Sequence, residues 1–145
     1  MQERCKFPIS VQIVLKQDNK VLLMKRKNTG YEDGKYSLPG GHVEQNEEIR
    51  KAAIREAKEE IGIDIKLNDL ELYKILNRKI NKGGEYVDFI FKVERWAGNI
   101  TNKEYEKCEE IIWKDINSIP ENTIDFIPEI FKNKNALYIP YNWED

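Results

Sequence analysis

Residues Gly41 to Ile63 read GHVEQNEEIRKAAIREAKEEIGI, and no other stretch of the chain says as much about its fold. The spacing predicts a helix that carries Glu56, Glu59 and Glu60 on about one turn. Side chains three and four apart on a helix are neighbours, so Glu56 faces both Glu59 and Glu60. At ~5 Å and an effective dielectric near ~20, each facing pair of carboxylates repels by roughly 3 kcal/mol. Two such pairs amount to a good part of a domain's stability of ~5–15 kcal/mol. Full solvation removes most of that penalty, whereas a bound divalent cation reverses its sign.

The helix's other residues decide between those outcomes. At ~100° per residue, Ile49, Ala52, Ala53, Ala57 and Ile61 form one apolar stripe. Glu56 and Glu60 fall inside that stripe, Arg55 and Glu59 flank it, and Lys51 and Lys58 point elsewhere. An acid on a core-facing side must be neutralised or paired. The ordinary reading of an acid-rich helix is a solvated face with pairs to Lys51, Arg55 and Lys58; the face shared with alanines argues against it. Before the helix, Ser37-Leu38-Pro39-Gly40-Gly41 predicts a tight loop where backbone can approach a ligand closely. Asn46 is the expected N-cap, with Glu47 and Glu48 in the first turn and Gly62 as the C-cap glycine. Oxygen ligands without added imidazole or thiolate suit Mg²⁺ or Mn²⁺ better than zinc.

This stretch resembles the signature of the Nudix hydrolases. Glu47 follows Gly41 after five residues, and seven more lead to Arg55-Glu56, then Ala57, Lys58, Glu59-Glu60, Ile61, Gly62 and Ile63. Ala57 stands where the pattern prefers a bulky aliphatic, a departure in packing and not in chemistry. The resemblance implies an α/β fold, a Nudix-type α/β/α sandwich with a mixed β-sheet between helices, in one domain over residues 1–145. It implies that Glu56, Glu59 and Glu60 bind Mg²⁺ or Mn²⁺, with the Gly40 carbonyl completing the shell. Glu56, Glu59 and Arg55 form the implied catalytic set: one acid, often the one matching Glu56, acts as general base, and Arg55 pairs with Glu47. The implied substrate is a nucleoside diphosphate linked to another group and cut at a pyrophosphate bond. Cations that neutralise phosphate charge and orient water supply most of what such a displacement needs.

Composition bounds the rest. A chain of 145 residues fits one domain with a single sizeable core. The net charge of −2, with both signs mixed along the chain, gives no electrostatic reason to expect a long nucleic acid partner. No apolar run approaches the ~18 residues of a membrane span. Met1-Gln2-Glu3-Arg4-Cys5-Lys6 does not lead into a signal-like region, so a cytoplasmic protein is expected. Cys5 and Cys108 form no metal-type pair and are expected as free thiols.

Along the chain, Phe7 to Leu15 and Lys20 to Lys25 read as strands joined at Asp18-Asn19. Leu70 to Ile80 and Glu85 to Glu94 flank Asn81-Lys82-Gly83-Gly84, a hairpin signal. Tyr86, Asp88, Ile90 and Lys92 share one strand face; Val87, Phe89, Phe91 and Val93 share the other. Glu110 to Trp113 reads as a short strand, and Asn122 to Lys134 as a second helix that Pro128 interrupts. The aromatic tail Tyr138-Ile139-Pro140-Tyr141-Asn142-Trp143 is expected to dock on the body or on a second subunit.

Candidates outside the signature are weaker. Lys25 and Arg26 end a strand before the loop and could reach phosphates. Tyr31, Tyr36, Tyr86 and Phe89 could stack a base, with Tyr86 and Phe89 taken as the substrate-binding pair. His42, the single histidine, reads as a structural loop residue. Glu104-Tyr105-Glu106-Lys107-Cys108 is similar to a segment of MutT-like nucleoside triphosphate pyrophosphatases, which makes Glu104 a further metal-ligand candidate; Tyr105 stands where proline is usual. Markers of the ADP-ribose, diadenosine polyphosphate and coenzyme A classes are absent. The expectation is therefore a Mg²⁺-dependent pyrophosphohydrolase of a nucleoside triphosphate, oxidised or otherwise non-standard nucleotides included. The alternatives are another nucleoside diphosphate-linked substrate such as ADP-ribose, a non-catalytic nucleotide-binding module, and a prenyl diphosphate isomerase on the same scaffold. The expected partner is a small-molecule nucleotide, and the chain a monomer or homodimer.

Overall fold

The computed structural model describes residues 2–81 and 83–144. Two alternating runs open the chain, β1 (Ile9–Gln17) and β2 (Lys20–Arg26), joined by a turn that holds Asp18 at φ 55°. The short strands β3 (Tyr36–Ser37) and β4 (Gly40–His42) lead into α1 (Ile49–Ile61). A long hairpin follows, β5 (Glu71–Lys79) and β6 (Glu85–Val93), then β7 (Cys108–Asp115), α2 (Ile127–Lys132) and β8 (Tyr138–Tyr141). Lys82, in the expected hairpin turn, lies outside the described residues.

The strands form one mixed sheet in the order β3-β2-β1-β6-β5-β8, with β4 added to β1 and β7 to β2. Parallel pairing joins β1 to β6 and β5 to β8; the other pairs are antiparallel. Both faces are covered, as alternation in β1 and β6 requires. On one face Val11, Ile13, Leu15, Phe91 and Val93 meet Ala52, Ala53, Ala57 and Ile61 of α1. On the other, Val14, Leu76 and Ile90 meet Ile127, Ile130 and Phe131 of α2. The expected α/β/α sandwich is the fold observed. Among the described residues no helix is long and apolar enough to cross a membrane.

Two boundaries differ from expectation. Glu48, not Asn46, caps α1: its carboxylate accepts from Lys51 N–H at 3.3 Å, while Asn46 sits in the preceding turn at φ 63°. Glu47 and Glu48 therefore precede the helix instead of forming its first turn. Gly62 closes it in the left-handed conformation at φ 73°. The second helix shrinks to six residues because Pro128 lies in its first turn, where a missing N–H costs nothing, and not in its middle. The tail docks on the body: β8 pairs with β5, and the Trp143 indole N–H donates to the Asn77 carbonyl at 2.9 Å.

Candidate active site

Arg55 organises the acids of α1. Its Nε and Nη2 donate to the two oxygens of Glu47 at 2.7 and 3.0 Å, a fork-to-fork pair that ties the preceding loop to the helix. Nη1 reaches Glu56 at 2.9 Å and Glu59 at 3.2 Å, and Nη2 also donates to the His42 carbonyl. The Arg55 guanidinium, with the Glu44 N–H, holds the Glu47 carboxyl down at about 2. Glu47, first among its partners, holds the Arg55 proton more firmly than usual.

Glu60 has no such cation. Its carboxylate accepts the Gly40 N–H at 2.8 Å. Burial pushes the carboxyl up to about 8 against that hydrogen bond, with the nearby charges of Glu56 and Glu104 adding to the shift. Burial likewise raises Glu56, opposed by Arg55 and reinforced by Glu59 and Glu104. So Glu56 and Glu60 sit in the alanine stripe as the helical wheel requires, and Glu59 lies at its exposed edge, its side chain 54% exposed. Glu104 comes from the loop before β7, its backbone held by Asn102, Lys107 and Cys108.

The two glycines before the helix are pressed from opposite sides. A Cβ on Gly40 would stand 2.2 Å from the Val11 carbonyl oxygen, and one on Gly41 would stand 2.5 Å from a Glu56 carboxylate oxygen. The first glycine lets β4 lie against β1, and the second lets the Glu56 carboxylate reach the backbone.

A cavity of about 710 Å³ opens beside this arrangement, lined in part by Gly40, Gly41, Glu60 and Glu104. Lys25 and Arg26 stand on the same wall. Lys25 pairs with Glu109 at 3.1 Å, and Arg26 donates to the Tyr31 carbonyl at 2.8 Å with its guanidinium over the Tyr31 ring. Tyr86 lines the cavity and stacks on His42, ring centroids 5.6 Å apart. Phe89, the other base-stacking candidate on this strand, does not line it. One residue away from an inward position on a strand means the opposite face, and Phe89 packs on the α1 side of the sheet. Tyr36 is buried, its hydroxyl donating to Glu110. Cys108 is buried on the cavity wall and Cys5 is exposed, both as free thiols.

Residues 6–133 match the family model described as NUDIX domain. The chain belongs to the Nudix hydrolase family. Nudix hydrolases act on phosphoric anhydride bonds and generally need a divalent metal. Among curated relatives, an ADP-ribose pyrophosphatase of Methanocaldococcus jannaschii is 32% identical over 118 residues, covering 81% of this chain and 67% of its own. The Nudix hydrolase YvcI of Bacillus subtilis, named as uncharacterized, is 33% identical over 111 residues, and the match spans 65% of it. An 8-oxo-dGTP diphosphatase of Escherichia coli is 29% identical over 126 residues, covering 85% of this chain and 89% of its own. The fold matches that of a MutT NUDIX hydrolase from Burkholderia pseudomallei with a TM-score of 0.80 at 22% identity, over 90% of this chain and 99% of that one.

This Nudix chain's acids fit a hard cation by their chemistry. Among the described residues, no three acidic, histidine or cysteine side chains converge into a ready-made cluster. Arg55 draws Glu56 and Glu59 toward itself, and Glu60 turns to a backbone N–H. What fits is the charge: two half-buried carboxylates with raised proton affinity beside a cradle that only glycine leaves open. Glu56, Glu59 and Glu60 are the side chains that could hold the metal, with Glu104 near them.

The sequence reading missed a polar cluster on the far wall of the cavity. Asp88 is fully buried and receives Arg78, Ser10 and Gln12. The available signal was an acid on the inward face of a central strand, aligned with Tyr86 and Ile90.

Proposed function

We propose that the protein hydrolyses a nucleoside triphosphate, oxidised or non-standard bases included, to a nucleoside monophosphate and pyrophosphate. The observation that carries this reading is the part-buried Glu60 carboxyl, raised by burial and with no side-chain ion pair, on the wall of a nucleotide-sized cavity. In this reading Glu56, Glu59 and Glu60 hold Mg²⁺ or Mn²⁺, with the Gly40 carbonyl and Glu104 adding oxygen ligands. The bound cation supplies charge neutralisation on the phosphates and a more acidic water. Glu56, whose proton affinity burial raises, accepts the proton of the attacking water. Arg55, fixed by Glu47, positions Glu56 and Glu59 and screens their repulsion. Lys25 and Arg26 meet the phosphate chain, and Tyr86 offers its ring to the base. The pairing of β8 with β5 supports one domain over residues 1–145. The same reading takes the chain as a cytoplasmic monomer or homodimer whose partner is a small nucleotide, with no long nucleic acid or membrane.

A second substrate, ADP-ribose, is favoured by the name of the Methanocaldococcus jannaschii relative. The deciding experiment measures phosphate products over a panel of nucleoside triphosphates and ADP-ribose with Mg²⁺ or Mn²⁺. Release of pyrophosphate from a triphosphate is expected; turnover of ADP-ribose alone would replace the substrate. In the same assay Glu59→Gln should melt within a few degrees of the wild type and lose turnover by orders of magnitude. Near-normal turnover by that variant would remove Glu59 from the site.

A further inference from the structure

The cavity has two unlike walls. One carries Glu60 of α1, Glu104 and the basic end of β2. The other is assembled from β1, β5, β6 and the start of α2, and its centre is the ion pair of Arg78 with Asp88. Both partners are sheltered, with side-chain exposures of 12% and 0%. A buried ion pair of this kind adds little net stability, because desolvation offsets the attraction and apolar residues of similar volume hold a sheet as well. Its reason is therefore to be sought in what Arg78 faces, and Arg78 lines the cavity.

The hydrogen-bond accounting shows what is left to offer. Asp88 is saturated: one oxygen accepts from the Ser10 hydroxyl, from Gln12 at 3.4 Å and from Arg78 Nη2 at 3.0 Å, and the other accepts from Arg78 Nε. A guanidinium has five N–H donors and no acceptor. Nε and Nη2 serve Asp88, and the Tyr31 hydroxyl stands near the guanidinium, which leaves the Nη1 side of the fork turned to the cavity. The planar faces are covered as well, by the Phe126 ring at 4.1 Å and the Tyr86 ring at 4.8 Å from the guanidinium carbon. Arg78 is thus fixed in plane and in tilt, with donor hydrogens as its remaining free chemistry.

We propose that Arg78 reads the substrate's base and selects a purine with an oxygen at position 6 over one with an amino group there. This rests on the nucleotide-hydrolase reading above. Arginine meets guanine through two acceptors side by side, O6 and N7. Adenine offers N7 beside an N6 amino group, which sets donor against donor and leaves both unpaired in the desolvated site. Asp88 is a positioning residue: it touches no substrate and holds the guanidinium in register, while Tyr86 and Phe126 keep it flat.

The test compares ITP with ATP, which differ at position 6 and not in the sugar or phosphates. Wild-type kcat/KM should favour ITP by about tenfold or more, as expected where a site's donors reject an unmatched base. Arg78→Lys keeps a charge for Asp88 but loses the planar fork. It should bring the ratio near one, chiefly by raising KM for ITP. Equal use of ITP and ATP by the wild type, or an unchanged preference in a folded Arg78→Lys, overturns the inference. Calorimetry of IMP and AMP binding to the wild type asks the same question without turnover or a variant. Tighter IMP binding supports Arg78 as the reader even if no triphosphate is cleaved, and equal binding sinks it. Failure to cleave any triphosphate, with IMP still preferred, counts against the hydrolysis reading alone.

Discussion

Glu47 and the glycine pair show how much of the site rests on single residues. The Glu47 carboxyl lies at about 2 in the folded protein against 4.5 ordinarily. Its pairing with Arg55 therefore contributes stability in full above about pH 4.5, and that contribution is lost as pH falls toward 2. Glu47→Gln should lower Tm at pH 7 and flatten the loss of Tm between pH 4.5 and pH 2, measured by thermal melts across that range. An unchanged acid limb would mean the pair does not form in solution. The glycines should separate fold from chemistry. On Gly40 a methyl meets the backbone of β1 at 2.2 Å, so Gly40→Ala should unfold or lose several kcal/mol. On Gly41 it meets the movable end of Glu56, so Gly41→Ala should keep a near-normal melt and lose at least about tenfold in turnover. The acids of α1 were legible in the sequence because their spacing alone sets which side of a helix they occupy. The cap was not, because Asn46 and Glu48 are both competent acceptors and only the path of the preceding turn chooses between them.

At the level of elements, Lys74 shows what local pattern cannot reveal. It sits in β5 with 2% exposure, and its ammonium donates to the carbonyls of Asn133, Lys134 and Ala136 just beyond α2. Those oxygens terminate a short helix that has no glycine cap and lead into β8. One lysine thus joins a strand to the end of a helix and the start of the edge strand. In the sequence it reads as an ordinary charged residue in an alternating run. Burial lowers its proton affinity, so its value to the fold lies in the three acceptors it satisfies. Lys74→Met keeps the volume and removes the donors. Hydrogen bonds to a charged group are worth about 1.5–3 kcal/mol net. At roughly 3 °C per kcal/mol for a chain of this size, Tm should fall by about 5–10 °C. Amide exchange in residues 127–141 should rise more than in α1. A uniform rise across the molecule would show that Lys74 acts on global stability and not on this junction.

Across the whole molecule, legibility follows sequence distance. The acidic wall occupies one contiguous stretch with a loop before it, so pattern and resemblance located it. The opposite wall joins Ser10 to Asp88 across 78 positions, and depends on β1 lying parallel to β6, which no local signal specifies. That is why Tyr86 was named as a candidate and Arg78 was not; Phe89 was read on the correct strand face, opposite Tyr86, and only its proposed contact with a base lacks a place on the cavity wall. The C-terminal strand ties these scales together. β8 adds Ile139 to the second core cluster, and Tyr141 meets Phe126 edge-on at 6.3 Å. Phe126 in turn covers Arg78. Removing residues 137–145 should therefore act at two distances. Loss of the buried Ile139 and of the strand's ladder should cost about 3 kcal/mol or more, a fall in Tm of roughly 10 °C. At a temperature where the shortened chain remains folded, the proposed preference for ITP over ATP should shrink through KM, while kcat on ATP stays near the full-length value. The apolar face of α1 packs on the opposite side of the sheet from Ile139 and Tyr141 of the tail. A matching loss of kcat on both nucleotides would instead show that the two walls are coupled through the sheet.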